Sequence, residues 1–484
     1  MVSISSTTEQ TATTNDSPSK NNLKQAVVVI HGMGEQRPME TIREFVNHVF
    51  KQDPNLKNPH FWNKPSSVSE SFEQRRLTTN RPKLPSGEDS LQRTDFYEYY
   101  WAHHTVNTKW EHFVGWFQTL LVCRPKKYDD HPNTLKPLWF ALVGLLIFAV
   151  LSVWGWGALV NYITDTTCKG KLQILFMGLA TVVEIAFLFG LNWLKSKFTK
   201  YFGDVARYVR ANPANINIRQ AIRKGGIELV ERIHETGDYD RVVIVGHSLG
   251  SIVAYDIINH LWARHNKFKY TRGNRSFTSP LSKVAIGQLE ELQEMAKAVG
   301  TPNFEQDAYR AKQHELFYEL RSNDKANNWL VSDFITLGSP LTYADILLFN
   351  DNLEFTKRKL DREYPTSPPV PEAGNWFYSV GSRKYLHHGA VFAPVKWTNI
   401  FMPHKNFLKG DLISGPVSKN FSYVNIEVDT LSMPPPSNLT LTPIKELELD
   451  YKKVKNGFTH TEYWQSSEIS DEHLAELRKA LALF

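Results

Sequence analysis

Cysteine is nearly absent: the 484-residue chain holds two, Cys123 and Cys168. Two isolated cysteines exclude a disulfide framework and supply no metal-ligand spacing. They flank a long apolar stretch, which sets them on opposite sides of a bilayer, where they cannot pair. Charge of one sign is also in short supply. With 56 Lys and Arg against 50 Asp and Glu, the formal net charge is +6. No arginine-rich tract or basic–aromatic pattern accompanies it, so a nucleic-acid partner is not expected. The N-terminus lacks the apolar core of a signal peptide; Met1 to Gln25 is rich in Ser, Thr, Asn and Gln and reads as a disordered tail.

What is abundant is apolar sequence. Hydrophobic residues make up 42% of the chain and aromatics 12%, ample for a sizeable core or for one large domain with insertions. Leu138 to Val160 runs 23 residues without a charge, with Trp139, Trp154 and Trp156 near its ends. Leu172 to Leu194 is a second run of that length, interrupted by Gln173, Glu184 and Asn192. Both are long enough to cross a hydrocarbon core, and together they predict a transmembrane helical hairpin. A carboxylate mid-span is costly in lipid, so Glu184 should face the first helix or be protonated. Upstream, Trp110, Phe113, Trp116, Phe117, Leu120 and Leu121 share one helical face suited to a membrane interface. Arg124, Lys126, Lys127 and Lys136 precede the first span, and Lys195, Lys197 and Lys200 follow the second; the short link carries only Lys169 and Lys171 against Asp165. The positive-inside rule then puts both long arms in the cytoplasm. The sequons at Asn274, Asn420 and Asn438 are accordingly read as chance matches.

The remaining arms alternate strands with helices, which predicts an α/β protein with a mostly parallel sheet. Ala26–Ile30 is a buried-strand run ending in His31-Gly32-Met33-Gly34. A first helix is expected over Met39–Phe50, a loop over Gln52–Ser90, a strand over Asp95–Ala102 and an amphipathic helix over Phe202–Glu235. Val242–Val245 is another buried strand; it meets Gly246-His247-Ser248-Leu249-Gly250, and Ile252, Val253, Ile257, Ile258 and Leu261 then recur at helical spacing. Lys267–Asn328 reads as a charged helical insertion, a candidate lid. Further strands are expected at Val331–Leu337, Val395–Phe401 and Val424–Val428, a loop over Asp351–Gly374, and a closing helix over Asp471–Leu483. In domain terms this gives a tail (1–25), a first core part (26–104), an interfacial and membrane segment (105–200) and the rest of the core (201–484).

Strand, Gly-x-Ser-x-Gly, helix is the context of a nucleophile elbow: a sharp turn lifts the serine above the sheet with its hydroxyl exposed. A serine needs an imidazole to take its proton, and the imidazole needs a carboxylate to fix its tautomer. His460, in Gly-Phe-Thr-His-Thr-Glu-Tyr-Trp, and Asp411, in Lys-Gly-Asp-Leu-Ile-Ser-Gly-Pro, each follow a late strand. Asp345 and Asp429 compete for the acid; His387, His388 and His404 precede Asp411 in the chain, and His247 reads as structural. The amides of Met33 and Leu249 are the expected oxyanion donors.

The chain thus resembles the α/β-hydrolases of the lipase/esterase type, in the His31-Gly32 turn, the Gly246–Gly250 pentapeptide, the Leu337-Gly338-Ser339-Pro340 strand end, and the Asp411 and His460 positions. The resemblance covers roughly 26–101 and 201–464; the apolar hairpin is a departure. It implies acyl transfer through an acyl-serine on Ser248, with His460 and Asp411 as partners and no metal or organic cofactor. Proximity to a bilayer points to a lipid or other long-chain acyl ester. An acyltransferase or thioesterase with the same three residues, or a membrane-tethered scaffold without activity, remain open readings, because a fold does not fix a substrate.

Overall fold

A run of β-branched residues with no polar interruption is a strand that can be covered on both faces. Two such runs, Ala26–Ile30 in β1 (Leu23–Ile30) and Val242–Val245 in β5 (Arg241–His247), meet at the centre of the computed structural model beside β6 (Val331–Leu337), which is buried throughout although it carries Ser332, Asp333 and Thr336. The structure describes residues 23–32, 37–66, 68, 75–84, 86, 92–105, 143–144, 208, 215–266, 280–322, 329–349, 352–403, 410–411, 413–423, 441–449, 460, 463–465 and 472–483. With β2 (Phe61–Pro65), β3 (Arg75–Thr79), β4 (Gln92–Tyr99), β9 (Lys396–Phe401) and β10 (Lys445–Glu448), these form one eight-stranded sheet ordered β2-β3-β4-β1-β5-β6-β9-β10. Every pairing from β4 to β10 is parallel, while β3 runs antiparallel to both its neighbours. A small antiparallel pair, β7 (Phe377–Val380) and β8 (Arg383–Leu386), stands apart.

Alternation along the central strands feeds two cores. Val242 and Ile244 join the cluster on one face, Val243 and Val245 that on the other. On the first face lie α2 (Ile216–Glu235), α3 (Leu249–His265), α4 (Lys283–Ala296) and α5 (Gln306–Ser322); on the second lies α1 (Glu40–Val46), which widens into a π-turn over Asn47–Lys51. Three short helices follow, α6 (Ala344–Leu347), α7 (Asn352–Leu360) and α8 (Ser418–Phe421), and α9 (Glu472–Leu481) closes the second face. Each fully buried Val, Ile or Leu contributes about 1.5–3 kcal/mol of transfer free energy. The sheet is therefore held by burial on both of its faces.

Several sequence expectations need correction. Gln52–Ser90 is not a loop throughout, because it supplies β2 and β3; β2 is an edge strand with Asn, Lys and Pro, so it lacks the alternation of a half-buried one. The tail reading of 1–25 gives way at Leu23, where β1 already begins. Asp351–Gly374 contains α7, a charged helix whose buried anchor is Phe355. Within the lid expected over 267–328, the described helices α4 and α5 are instead a layer of the core. Arg310 of α5 donates to the Trp397 carbonyl (2.7 Å) and Thr398 Oγ1 (2.8 Å), and Gln313 to the Phe392 carbonyl (2.7 Å). Both grip the start of β9 rather than the sheet's other edge. The Val424–Val428 strand lies outside the described residues, as do the interfacial helix and both apolar runs except the helical Val143 and Gly144. Among the described residues no helix is long and apolar enough to cross a membrane. Asn420 donates its side-chain amide to the Thr342 carbonyl at 2.8 Å and is 4% exposed, so that sequon is closed by packing.

Buried imidazoles make the fold sensitive to mild acid. Burial pushes His31 down to about 4, and His234, His247 and His387 to about 3. Unfolded, each would titrate at 6.5. Below that value the unfolded chain takes up protons that the folded chain refuses, and stability falls progressively toward the folded values. Glu98 and Glu446, raised by burial to about 7, act in the opposite sense between 7 and 4.5. Four imidazoles outnumber two carboxyls. The urea midpoint should therefore drop steadily from pH 7 to pH 5, with net proton uptake on unfolding; a midpoint that is flat or rises over that window contradicts this account.

Candidate active site

The residues after β1 and after β5 leave the sheet on opposite faces, toward α1 and α3 respectively. In an open parallel sheet this reversal leaves a crevice at the carboxyl edge, where ligands are bound. Register sets its floor: Tyr99, Ile30 and Gly246 lie abreast, with Thr336 beside Gly246 and Leu337 beside His247.

Ser248 stands at that edge with φ +54° and ψ −130°, a conformation uncommon for any residue with a Cβ. Its amide donates to the Leu337 carbonyl at 2.9 Å, tying the turn to β6. The neighbouring glycines are obligatory. A Cβ on Gly250 would collide with the Ile30 and His31 carbonyls, and one on Gly246 would lie 2.5 Å from the Ser251 Cα. The Ser248 hydroxyl is not open to solvent as the sequence suggested, for the residue is 2% exposed. The His31-Gly32 turn crosses it so closely that a Cβ on Gly32 would sit 2.7 Å from the Ser248 Cβ.

Two distant segments converge on this serine. His460 Nε2 lies 2.7 Å from Ser248 Oγ, and His460 Nδ1 lies 2.9 Å from Asp411 Oδ2. Asp411 is fully buried. Burial alone would push its carboxyl up; the His460 ring, the Tyr463 hydroxyl and the Ile413 amide outweigh this and hold it below the usual carboxylate range. An ionised carboxylate only accepts, so Nδ1 carries the proton, and in the neutral ring Nε2 is left to accept from Ser248 Oγ–H. Leu249 opens α3, so its amide has no acceptor within the helix. Met33 lies outside the described residues.

The competing residues are placed elsewhere. Asp345 takes a hydrogen bond from Asn420 Nδ2 (3.4 Å) and lies in the field of the half-buried Lys359 ammonium. His387 and His388 line a cleft of about 770 Å³ with His260, Arg264 and Asn266, at the far end of α3 from Ser248. His404 and Asp429 fall outside the described residues. Among the described residues His460 follows β10; the Lys-Glu-Leu-Glu of β10 is polar edge sequence with no buried-strand signature.

Three side chains whose contacts the sequence did not specify hold the edge together. The His31 ring stacks on Trp101 (centroids 5.1 Å, 6°), donates from Nδ1 to its neighbour's carbonyl at Gly32 (2.8 Å) and accepts at Nε2 from the Trp101 amide (3.2 Å). His247 is structural as expected, and its part is now specific. Neutral and edge-on to Trp464, it donates from Nε2 to the His460 carbonyl at 2.8 Å, clipping the His460 segment to the elbow. Tyr463 donates to Asp411 Oδ2 at 2.6 Å. No local pattern marks these roles, since each depends on a partner 49 or more residues away or on a backbone atom.

The described residues that flank segment 106–207 come together near this edge. β4 ends at Tyr99 beside Ile30, and the Tyr99 hydroxyl donates to the Ile222 carbonyl near the start of α2 (2.5 Å). Fold and site define a mixed α/β protein with a mostly parallel sheet and a buried Ser–His–Asp cluster at its carboxyl edge. No protein-family model, curated protein or solved structure matches this chain.

Proposed function

We propose that this chain is a serine hydrolase of the α/β-hydrolase, lipase/esterase type, held at a membrane and cleaving acyl esters, above all those of lipids. The observation that carries the reading is the pair of contacts through His460, 2.7 Å to Ser248 Oγ and 2.9 Å to Asp411 Oδ2, with Ser248 on a left-handed turn at the sheet's carboxyl edge. In the reaction, Ser248 Oγ attacks the ester carbonyl while its proton passes to His460 Nε2. The imidazolium, stabilised by Asp411, returns that proton to the departing alkoxide, leaving an acyl-serine. Water, deprotonated by His460, then releases the carboxylic acid and restores the hydroxyl. Amides of Leu249 and Met33 are the oxyanion donors in this scheme, each worth about 3 kcal/mol in comparable sites.

The lipid assignment draws on a second kind of support. The two long apolar runs of the sequence belong to the 106–207 segment, and the described residues that flank it, Tyr99 of β4 and Ile222 of α2, meet near the edge that carries Ser248. A bilayer anchored there would face the site.

The test is a substrate panel on the full chain in phospholipid vesicles. Long-chain esters embedded in the vesicles should be hydrolysed faster than soluble short-chain esters, with free acid as product. Transfer of the acyl group to an added alcohol in preference to water would make the chain an acyltransferase. Inertness toward the whole panel and toward serine-directed probes would leave a scaffold.

A further inference from the structure

The Leu337-Gly338-Ser339-Pro340 strand end has a physical job that leads to a further residue of the site. Gly338 has φ +59°, and a Cβ there would meet the Tyr463 ring at 2.5 Å and lie 3.2 Å from Asp411 Oδ2. The missing side chain is the seat of Tyr463. The ring is 2% exposed, and its hydroxyl is surrounded on three sides. The Met402 amide donates to it (3.2 Å), Ser414 Oγ lies at 2.9 Å, and the hydroxyl reaches Asp411 Oδ2 at 2.6 Å. Ser414 Oγ also faces the Met402 carbonyl at 3.3 Å, so its own proton has an acceptor. With an amide donating to it and a carboxylate that can only accept, the phenol's proton belongs to Asp411.

We propose that Tyr463 is a positioning residue: its hydroxyl holds Asp411 Oδ2 in the orientation that receives His460 Nδ1, and so aligns the imidazole with Ser248. The proposal rests on the hydrolase reading for its kinetic consequence, though not for its structural one. Two donors share one oxygen, while Ile413 N fixes the other at 2.9 Å. The carboxylate is therefore locked about both of its torsions. Burial and the Asp411 charge push the Tyr463 phenol up, which keeps the donor protonated. The remaining titratable rings facing this cluster, His460 and His247, are already engaged, one with Asp411 and Ser248 and the other with the His460 carbonyl.

Tyr463→Phe deletes the hydroxyl and keeps the ring on Gly338. A hydrogen bond to a charged group is worth roughly 1.5–3 kcal/mol, a factor of roughly 10–100. The expected result is a 10- to 100-fold fall in kcat on a vesicle-borne ester with KM within about twofold. In parallel, the low-field imidazole proton of the His460–Asp411 contact, followed by NMR, moves further downfield because the oxygen is no longer shared. Ser414→Ala, which loosens the same hydroxyl without touching the ring, produces both changes at smaller size and serves should the phenylalanine variant not fold. Wild-type kcat together with an unmoved resonance overturns the proposal. If the unaltered protein turns over no ester, the hydrolase reading has failed, and the resonance alone decides: displaced, Tyr463 positions Asp411; unmoved, it does not.

Discussion

Ser248→Ala is expected to abolish covalent labelling of the full chain by a fluorophosphonate probe and to reduce ester turnover to background. The probe reacts only with a hydroxyl whose proton is being drawn away, and among the described residues Ser248 Oγ is the hydroxyl in contact with His460 Nε2. Other buried serines are differently occupied: Ser251 Oγ lies 2.6 Å from the Ser248 carbonyl and from Ser339 Oγ, and Ser414 serves Tyr463. Loss of the nucleophile in a serine–histidine–aspartate site costs about 10⁶ in kcat in a well-studied case. Stability should scarcely register the change. Alanine carries the same Cβ at φ +54°, so the strain at the turn is unaltered, and the loss is one hydrogen bond, about 1 kcal/mol. Labelling is therefore measured beside a melting curve. A folded alanine variant that still takes up the probe would remove Ser248 from the mechanism and, with it, the acyl-serine.

The centre of the fold was legible because its physics is local. Ala26–Ile30 and Val242–Val245 are continuous apolar runs, and a strand buried on both faces needs nothing else. The elbow was legible for a related reason: strain at Ser248 demands glycines at 246 and 250, where the backbone of β1 and of α3 comes too close for a side chain. The edges were not. β2, β10 and α7 carry Lys, Glu and Asn because one side of each meets solvent, and such sequence looks like loop until a neighbour is supplied. β10, the strand that precedes His460 among the described residues, was missed for this reason. Charge misled in α4 and α5 as well. Their polar surfaces suggested a lid, yet Leu289, Leu292, Leu316 and Phe317 are buried in the core. The second layer of the site lay beyond sequence reasoning altogether. His31, His247 and Tyr463 acquire their roles from carbonyls, a tryptophan face and a carboxylate that only the assembled sheet brings within reach.

Asp411→Asn should lower kcat by several orders of magnitude, about 10⁴ where an equivalent substitution has been worked through, and the local geometry says why the amide cannot adapt. The carboxylate meets donors at both oxygens: Ile413 N at Oδ1, and His460 Nδ1 and Tyr463 Oη at Oδ2. An asparagine must turn its NH₂ toward one side. Facing Ile413 it sets two donors against each other in a fully buried site; facing His460 it opposes the ring and the phenol together, and drives the imidazole proton to Nε2, where it blocks Ser248. Either orientation removes the charge that offsets the imidazolium. Asp345→Asn is the control. Asp345 is engaged by Asn420 and lies near Lys359, so turnover there should remain near that of the unaltered protein while stability falls, since the half-buried Lys359 ammonium loses the nearby charge that favours it. Steady-state kinetics on both variants, each checked by melting, separates the assignments. Near-normal turnover in Asp411→Asn with collapse in Asp345→Asn would transfer the acid to Asp345 and leave the contact at His460 Nδ1 without a catalytic consequence.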